Sequence, residues 1–168
     1  MESDNTTNSF TFASHTISNT PLYSFENKKL WARVLSVHDG DTITCAIESF
    51  PGCFFRYNIR LAGIDTREMT SKGQSKDLAI TSRNKLIAFI TDNQIVLCET
   101  KIYTRTMIIA EFGRDVFLVY LDCDKMDKYG RVLARVYSPT NQKQSANAML
   151  LETGLAQIYN GGTKQEFE

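Results

Sequence analysis

Residues 30–62, LWARVLSVHDGDTITCAIESFPGCFFRYNIRLA, decide the fold class. Trp31, Val34, Leu35 and Val37 favour extended backbone, so residues 30–38 read as a strand. Asp39-Gly40 is a turn dipeptide, and the extended pattern resumes over 42–47. Phe50-Pro51-Gly52 interrupts it again. Over 54–62, Phe55, Tyr57, Ile59 and Leu61 alternate onto one face. Three strands in immediate succession form a meander.

Outward from this meander, the pattern changes. Residues 75–91 predict a helix, because Leu86, Phe89 and Ile90 recur at helical spacing with Ala79 one heptad earlier. Residues 94–99 and 103–112 read as strands. Gly113-Arg114 turns the chain into a strand over 116–121, and 132–137 is another. Ser138-Pro139-Thr140-Asn141 breaks the pattern before a second helix over 145–153, with Gly154 placed as its C-terminal glycine. The expected class is α+β, mainly β: a small antiparallel barrel of OB type with packed helices.

Composition narrows the function by exclusion. The chain has 168 residues, 42% apolar and 23% charged, which describes one globular domain. Lysine plus arginine and aspartate plus glutamate number 19 each, so no global cationic field draws in a polyanion. Any phosphate affinity must be local. Cys45, Cys53, Cys98 and Cys123 lack zinc-ligand spacing and read as reduced thiols, with a Cys45–Cys53 bridge left open. No apolar run is long enough for a membrane helix and no signal peptide is visible, so an intracellular location is expected. Half of residues 1–28 are serine, threonine or asparagine. They read as a polar, mobile tail, although Pro21 to Phe25 has enough apolar character to dock on the body. The expected division is a tail over 1–28, a domain over 29–162 and a C-terminal tail over 163–168.

Three islands carry chemistry. Asp39 and Asp41 bracket Gly40 in the first turn. Arg60 precedes Asp65, Thr66 and Glu68. Asp127, Lys128, Tyr129, Gly130 and Arg131 form the third. Paired carboxylates repel unless a cation joins them, and hard oxygen ligands suit calcium. A glutamate one water away can orient or deprotonate an attacking water. Two guanidiniums can hold a phosphate whose charge grows during reaction. Each island alone also admits a plainer reading. Asp-Gly turns are common, Asp65 or Thr66 can cap a helix, and surface arginines form ordinary ion pairs.

Together the islands resemble the staphylococcal nuclease (thermonuclease) family. VHDGDT over 37–42, RLAGIDTRE over 60–68 and DKYGR over 127–131 look like its three motifs. NAMLLETGLA over 147–156 is similar to its second helix and the following turn. The resemblance spans about residues 30–160. It implies a five-stranded OB-type antiparallel barrel with two helices. It further implies Ca2+ held by Asp41, Asp65 and the Thr66 carbonyl, and Glu68 as general base or water-orienting group. Arg60 and Arg131 would act on the phosphate, Lys128 and Tyr129 would lie near a substrate phosphate, and Asp39 would support the metal site from behind. The implied activity is hydrolysis of DNA and/or RNA with little sequence preference, leaving 3′-phosphates. A monomer with no obligate protein partner and no membrane association is expected. The alternative is a catalytically silent module that binds nucleic acid or protein. Three departures stand out. Arg67 occupies a usual proline position, the first hairpin is lengthened around Phe50-Pro51-Gly52-Cys53, and additional residues near 94–114 are read as an added strand or hairpin. The chain ends soon after Gly161-Gly162, so a third, C-terminal helix is not expected.

Overall fold

The computed structural model describes residues 12–162 and Phe167. The chain forms β1 (Lys29–Val37), β2 (Thr42–Phe50), β3 (Cys53–Leu61) and β4 (Ile64–Thr66). Helices α1 (Gln74–Ile90) and α2 (Arg105–Phe112) follow. Then come β5 (Leu118–Met126), β6 (Val132–Tyr137), α3 (Ala146–Glu152) and β7 (Ala156–Ile158). Five strands close a barrel in the order β1-β2-β3-β6-β5.

The expected meander forms, with Val37 opposite Ile43 across the first turn and Thr42 opposite Arg60 across the second ladder. One expectation requires correction. The barrel is mixed rather than wholly antiparallel, because β3 and β6 pair in parallel through Ile59–Val132, Arg60–Leu133 and Leu61–Ala134. Parallel pairing needs a long crossover, and the segment from β4 through β5 supplies it. Inward residues such as Val34, Ile43, Ile59, Leu121 and Val136 fill the interior, each fully buried.

The described residues hold three helices, not two. The second strand proposed in the 94–114 region is α2. Ile108 and Phe112 lie one helical turn apart and both are buried, whereas Ile109 is exposed. The Thr104 hydroxyl caps the helix by accepting the Met107 N–H at 3.3 Å. Residues 94–99 alternate buried Ile95, exposed Val96 and buried Leu97, which imitates a strand, but they find no ladder partner. Buried Arg83 of α1 ties this loop down by donating to the Tyr103 carbonyl at 3.2 Å.

At the N-terminus, Phe25 is buried and packs edge-on against Tyr57 at 4.9 Å, so residues around it dock on the body rather than trailing from it. Residues 1–11 of the proposed tail, and 163–166 and 168 of the C-terminal one, lie outside the described residues. Cys45 is buried while Cys53 is exposed at the hairpin tip, and both are free thiols. Among the described residues no helix is long and apolar enough to cross a membrane.

Helix α3 is locked to the barrel by one side chain. Asn147 is buried, donates to the carbonyls of Ala62 at 2.8 Å and Ala134 at 3.2 Å, and accepts from the Val136 N–H at 3.1 Å. It thereby bridges the parallel β3–β6 seam. Ser145 caps the same helix through the Ala148 N–H. At its far end Gly154, with φ of 69°, lets the Leu155 N–H reach back to the Leu150 carbonyl. Asn147→Ala takes this partner from the Val136 N–H and the Ala62 carbonyl, while the Ala134 carbonyl still accepts the Ala62 N–H at 2.8 Å; a buried group left unpaired costs roughly 1–3 kcal/mol. We expect it to lower the unfolding free energy by at least the value for one such group, read from urea denaturation.

Candidate active site

The site is assembled by the meander and a small second sheet. Strands β4 and β7, three residues each, pair Asp65 with Gln157 and Thr66 with Ala156. This pairing fixes Asp65 and Thr66 beside the first turn. Gly40 in that turn is required for close approach rather than for a special backbone angle. A Cβ there would lie 2.1 Å from the Ser82 hydroxyl of α1 and 2.9 Å from the Thr66 methyl. The turn therefore sits flush against both α1 and β4.

Asp41 and Asp65 are buried, and the equally buried Arg60 spans them. Its Nη2 donates to Asp65 Oδ1 at 2.8 Å. Its Nη1 lies 2.7 Å from Asp41 Oδ2 but lacks an aligned hydrogen-bond acceptor, so that contact is an ion pair without hydrogen-bond geometry. Asp41 Oδ2 also accepts the Thr66 N–H at 2.9 Å and the Thr66 hydroxyl at 3.1 Å, and Oδ1 accepts the Thr42 hydroxyl at 3.0 Å. Asp39 Oδ1 accepts the Asp41 N–H at 3.1 Å, which holds the turn from behind.

Burial pushes the Asp41 carboxyl up from an ordinary 3.8 to about 6, and the Asp39 charge adds to the rise. Arg60 and the bonds from Thr66 and Thr42 oppose it without cancelling it. A carboxyl whose pKa is raised in the folded state binds its proton more tightly when folded. Its contribution to stability is thus complete in acid and is lost as pH climbs through the window between 3.8 and about 6. In chelator, the stability of Asp41→Asn relative to the parent should therefore rise as pH climbs from below 4 to neutral. Urea titrations at the two pH values measure this, and a relative stability that is unchanged or falls with pH contradicts it.

Beyond the carboxylates opens a cleft of about 1070 Å³. Arg60, Lys128, Tyr129 and Arg131 all line it. The last three come from the β5–β6 turn, where Gly130 adopts a φ of 78° and Asp127 organises the loop. Asp127 Oδ1 accepts the N–H groups of Tyr129 and Arg131, both at 2.9 Å, and Oδ2 accepts Arg131 Nε at 2.7 Å. Burial raises the Asp127 pKa, but the bonds from Arg131 and Tyr129 outweigh it and hold the carboxyl below its usual value. Asp127 fixes one edge of the Arg131 guanidinium, and the two Nη groups have no hydrogen-bond partner among the described residues. Lys128 Nζ and Arg131 Cζ lie 5.0 and 5.5 Å from the centre of the exposed Tyr129 ring.

Seven of the nine singled-out residues thus gather in two adjoining groups that share Arg60. One holds Asp41, Asp65 and Thr66, and the other holds Lys128, Tyr129 and Arg131 around the cleft. Asp39 stands behind Asp41. Glu68 lies two residues beyond β4, is exposed, and is not among the residues that line the cleft. Arg135 also lines the cleft, paired with Asp122 at 3.4 Å, and was not foreseen. Its signal was available: Arg131, Leu133 and Arg135 alternate with buried Val132, Ala134 and Val136. Tyr159 forms part of the rim, its N–H donating to the Gly63 carbonyl at 2.9 Å.

The donor set fits a hard divalent cation in kind: two buried carboxylates, one with a raised pKa, and no sulfur or imidazole. It is a sparse set, since among the described residues no group of three or more acidic, histidine or cysteine side chains gathers at one point.

A protein-family model described as Staphylococcal nuclease homologue matches residues 58–168, more than half of the chain. The matched span includes Arg60, Asp65, Thr66, Glu68 and the 127–131 turn but not Asp39 or Asp41. A comparison with curated proteins finds no match.

Proposed function

The chain belongs to the staphylococcal nuclease homologue family, and from that membership we propose that it is a Ca2+-dependent phosphodiesterase. It would hydrolyse DNA and/or RNA with little sequence preference and leave 3′-phosphates. The observation that carries this reading is Arg60, whose guanidinium spans two buried carboxylates and which is itself one of the residues lining a cleft rich in cations.

Asp41 and Asp65, with the Thr66 carbonyl, would hold the cation. When bound, it supplies charge neutralisation and a polarised water. Arg60, which contacts both carboxylates and lines the cleft, would offer donors to a phosphate there. Arg131, held at one edge by Asp127, offers its free donors to the same group. The two guanidiniums then oppose the charge that accumulates on the phosphoryl oxygens. Glu68 orients or deprotonates the attacking water, and Lys128 and Tyr129 hold the adjoining stretch of substrate. The complete set of acids and arginines argues against the silent-module alternative.

The test is to incubate the purified chain with single- and double-stranded DNA and RNA, in Ca2+ or in chelator, and to analyse product ends. Cleavage in Ca2+ alone, with 3′-phosphate ends, is expected. Tight binding with no cleavage under any metal would assign the chain to the silent class. Glu68→Gln should reduce the single-turnover rate by about 10²-fold or more with folding intact, and an unchanged rate would remove Glu68 from the mechanism.

A further inference from the structure

We infer that the outer face of β1–β2–β3 is a backbone-binding track for the single-stranded nucleic acid leading away from the cleft. This inference rests on the nuclease reading above. Side chains two apart on a strand share a face, so Phe54, Arg56 and Asn58 lie on the same side of β3 as Arg60. All three are exposed, whereas Arg60 is buried where this face enters the cleft. Arg60 is four positions beyond Arg56, about 13 Å along an extended strand.

Ladder register places a second arginine beside the first. Ala46 of β2 lies opposite Arg33 of β1 on one side and Arg56 of β3 on the other. The two arginines are therefore two strand spacings apart, about 10 Å, with a small side chain between them. That leaves a shallow trough floored by Ala46. Both arginines are exposed, and neither has an ion-pair partner among the described residues. Arg60, Arg114, Arg131 and Arg135 all have one. Of the acids on this face, Glu48 is opposite Phe54 and is already engaged, accepting the Gly52 N–H at 2.7 Å.

Two uncompensated guanidiniums, Arg56 along the same strand as Arg60 and Arg33 two strands across from Arg56, complement a polyanion on a protein whose net charge is zero. An aromatic ring completes the track: Phe54 is 64% exposed beyond Arg56. A ring so placed stacks on a base only if that base is unpaired, which selects a single strand over a duplex. Asn58, between Arg56 and Arg60, accepts from Thr44 at 3.0 Å and keeps an exposed amide donor for sugar or phosphate.

The test measures fluorescence anisotropy in chelator, with labelled oligothymidylates of about 4 and about 16 nucleotides. It compares the parent chain with the Arg33→Ala/Arg56→Ala double variant, and thermal melting verifies that the variant folds. The parent should bind the longer strand more tightly than the shorter. In the variant this preference should shrink about tenfold. The slope of log affinity against log salt for the longer strand should flatten by about 1.4, the loss of two phosphate contacts. An unchanged preference and slope in a folded variant, while the parent cleaves nucleic acid in Ca2+, overturns the track and leaves the nuclease reading standing. A parent that neither binds nor cleaves overturns both.

Discussion

Replacing Arg131 with alanine is expected to lower the single-turnover rate of phosphodiester cleavage by about 10³-fold while the barrel stays folded. Arg131 is on a turn, partly exposed, and its backbone N–H keeps its bond to Asp127 whatever the side chain. Removal therefore costs little stability, because a partly exposed ion pair is worth at most about 1 kcal/mol. The loss falls on the transition state. A guanidinium held at one edge by Asp127 reaches the phosphate without reorganising, and preorganised donors account for most electrostatic catalysis. Arg131→Lys should recover only a small part of the rate, since an ammonium cannot satisfy Asp127 and the substrate with one planar fork. Quench-flow measurement at saturating Ca2+ reads both variants. A rate within tenfold of the parent for Arg131→Ala would show that the cleft does not use this group.

Arg60→Met should lose stability as well as rate, costing about 3–5 kcal/mol in chelator because two buried carboxylates lose their shared counter-charge. Asp41 already has a raised pKa with Arg60 present, so it has little tolerance for the loss. Two features make the expectation specific. First, Asp41→Asn added to Arg60→Met should restore part of the stability, because residues in one ion-pair network are not additive. Second, if a cation occupies the same carboxylates, Ca2+ should stabilise Arg60→Met more than it stabilises the parent. Urea denaturation with and without Ca2+ reads all three quantities. A cost below about 1 kcal/mol would mean that Arg60 is not the counter-charge of this pair.

Much of this site was legible because its residues lie in short local motifs next to turns. Asp41 and Arg60 belong to one meander and Asp65 follows it within five residues, and a meander is readable from alternation and turn chemistry alone. Val132–Tyr137 was readable for the same reason. What the sequence hid was non-local. The parallel β3–β6 seam joins segments far apart in the chain, and no periodicity announces a partner. Strands β4 and β7, three residues each, are too short to show a period, yet their pairing fixes Asp65 and Thr66. Helix α2 was misread because Ile108, Ile109 and Phe112 are all residues favoured in strands. Their packing, with positions 108 and 112 inward, decided the outcome. Asn147 was visible only as part of a helical motif, and its three hydrogen bonds across the seam depend on contacts that sequence does not display.

The most direct test of the central claim is to locate the ion and the phosphate together. Anomalous diffraction from crystals grown with Ca2+ and a nucleotide carrying a 3′-phosphate would do so. The expected result is one calcium peak bonded to oxygens of Asp41 and Asp65 at about 2.3–2.6 Å, with the phosphate between Arg60 and Arg131. A map in which Arg60 still spans both carboxylates, with no calcium beside them and no phosphate at Arg131, would contradict the account.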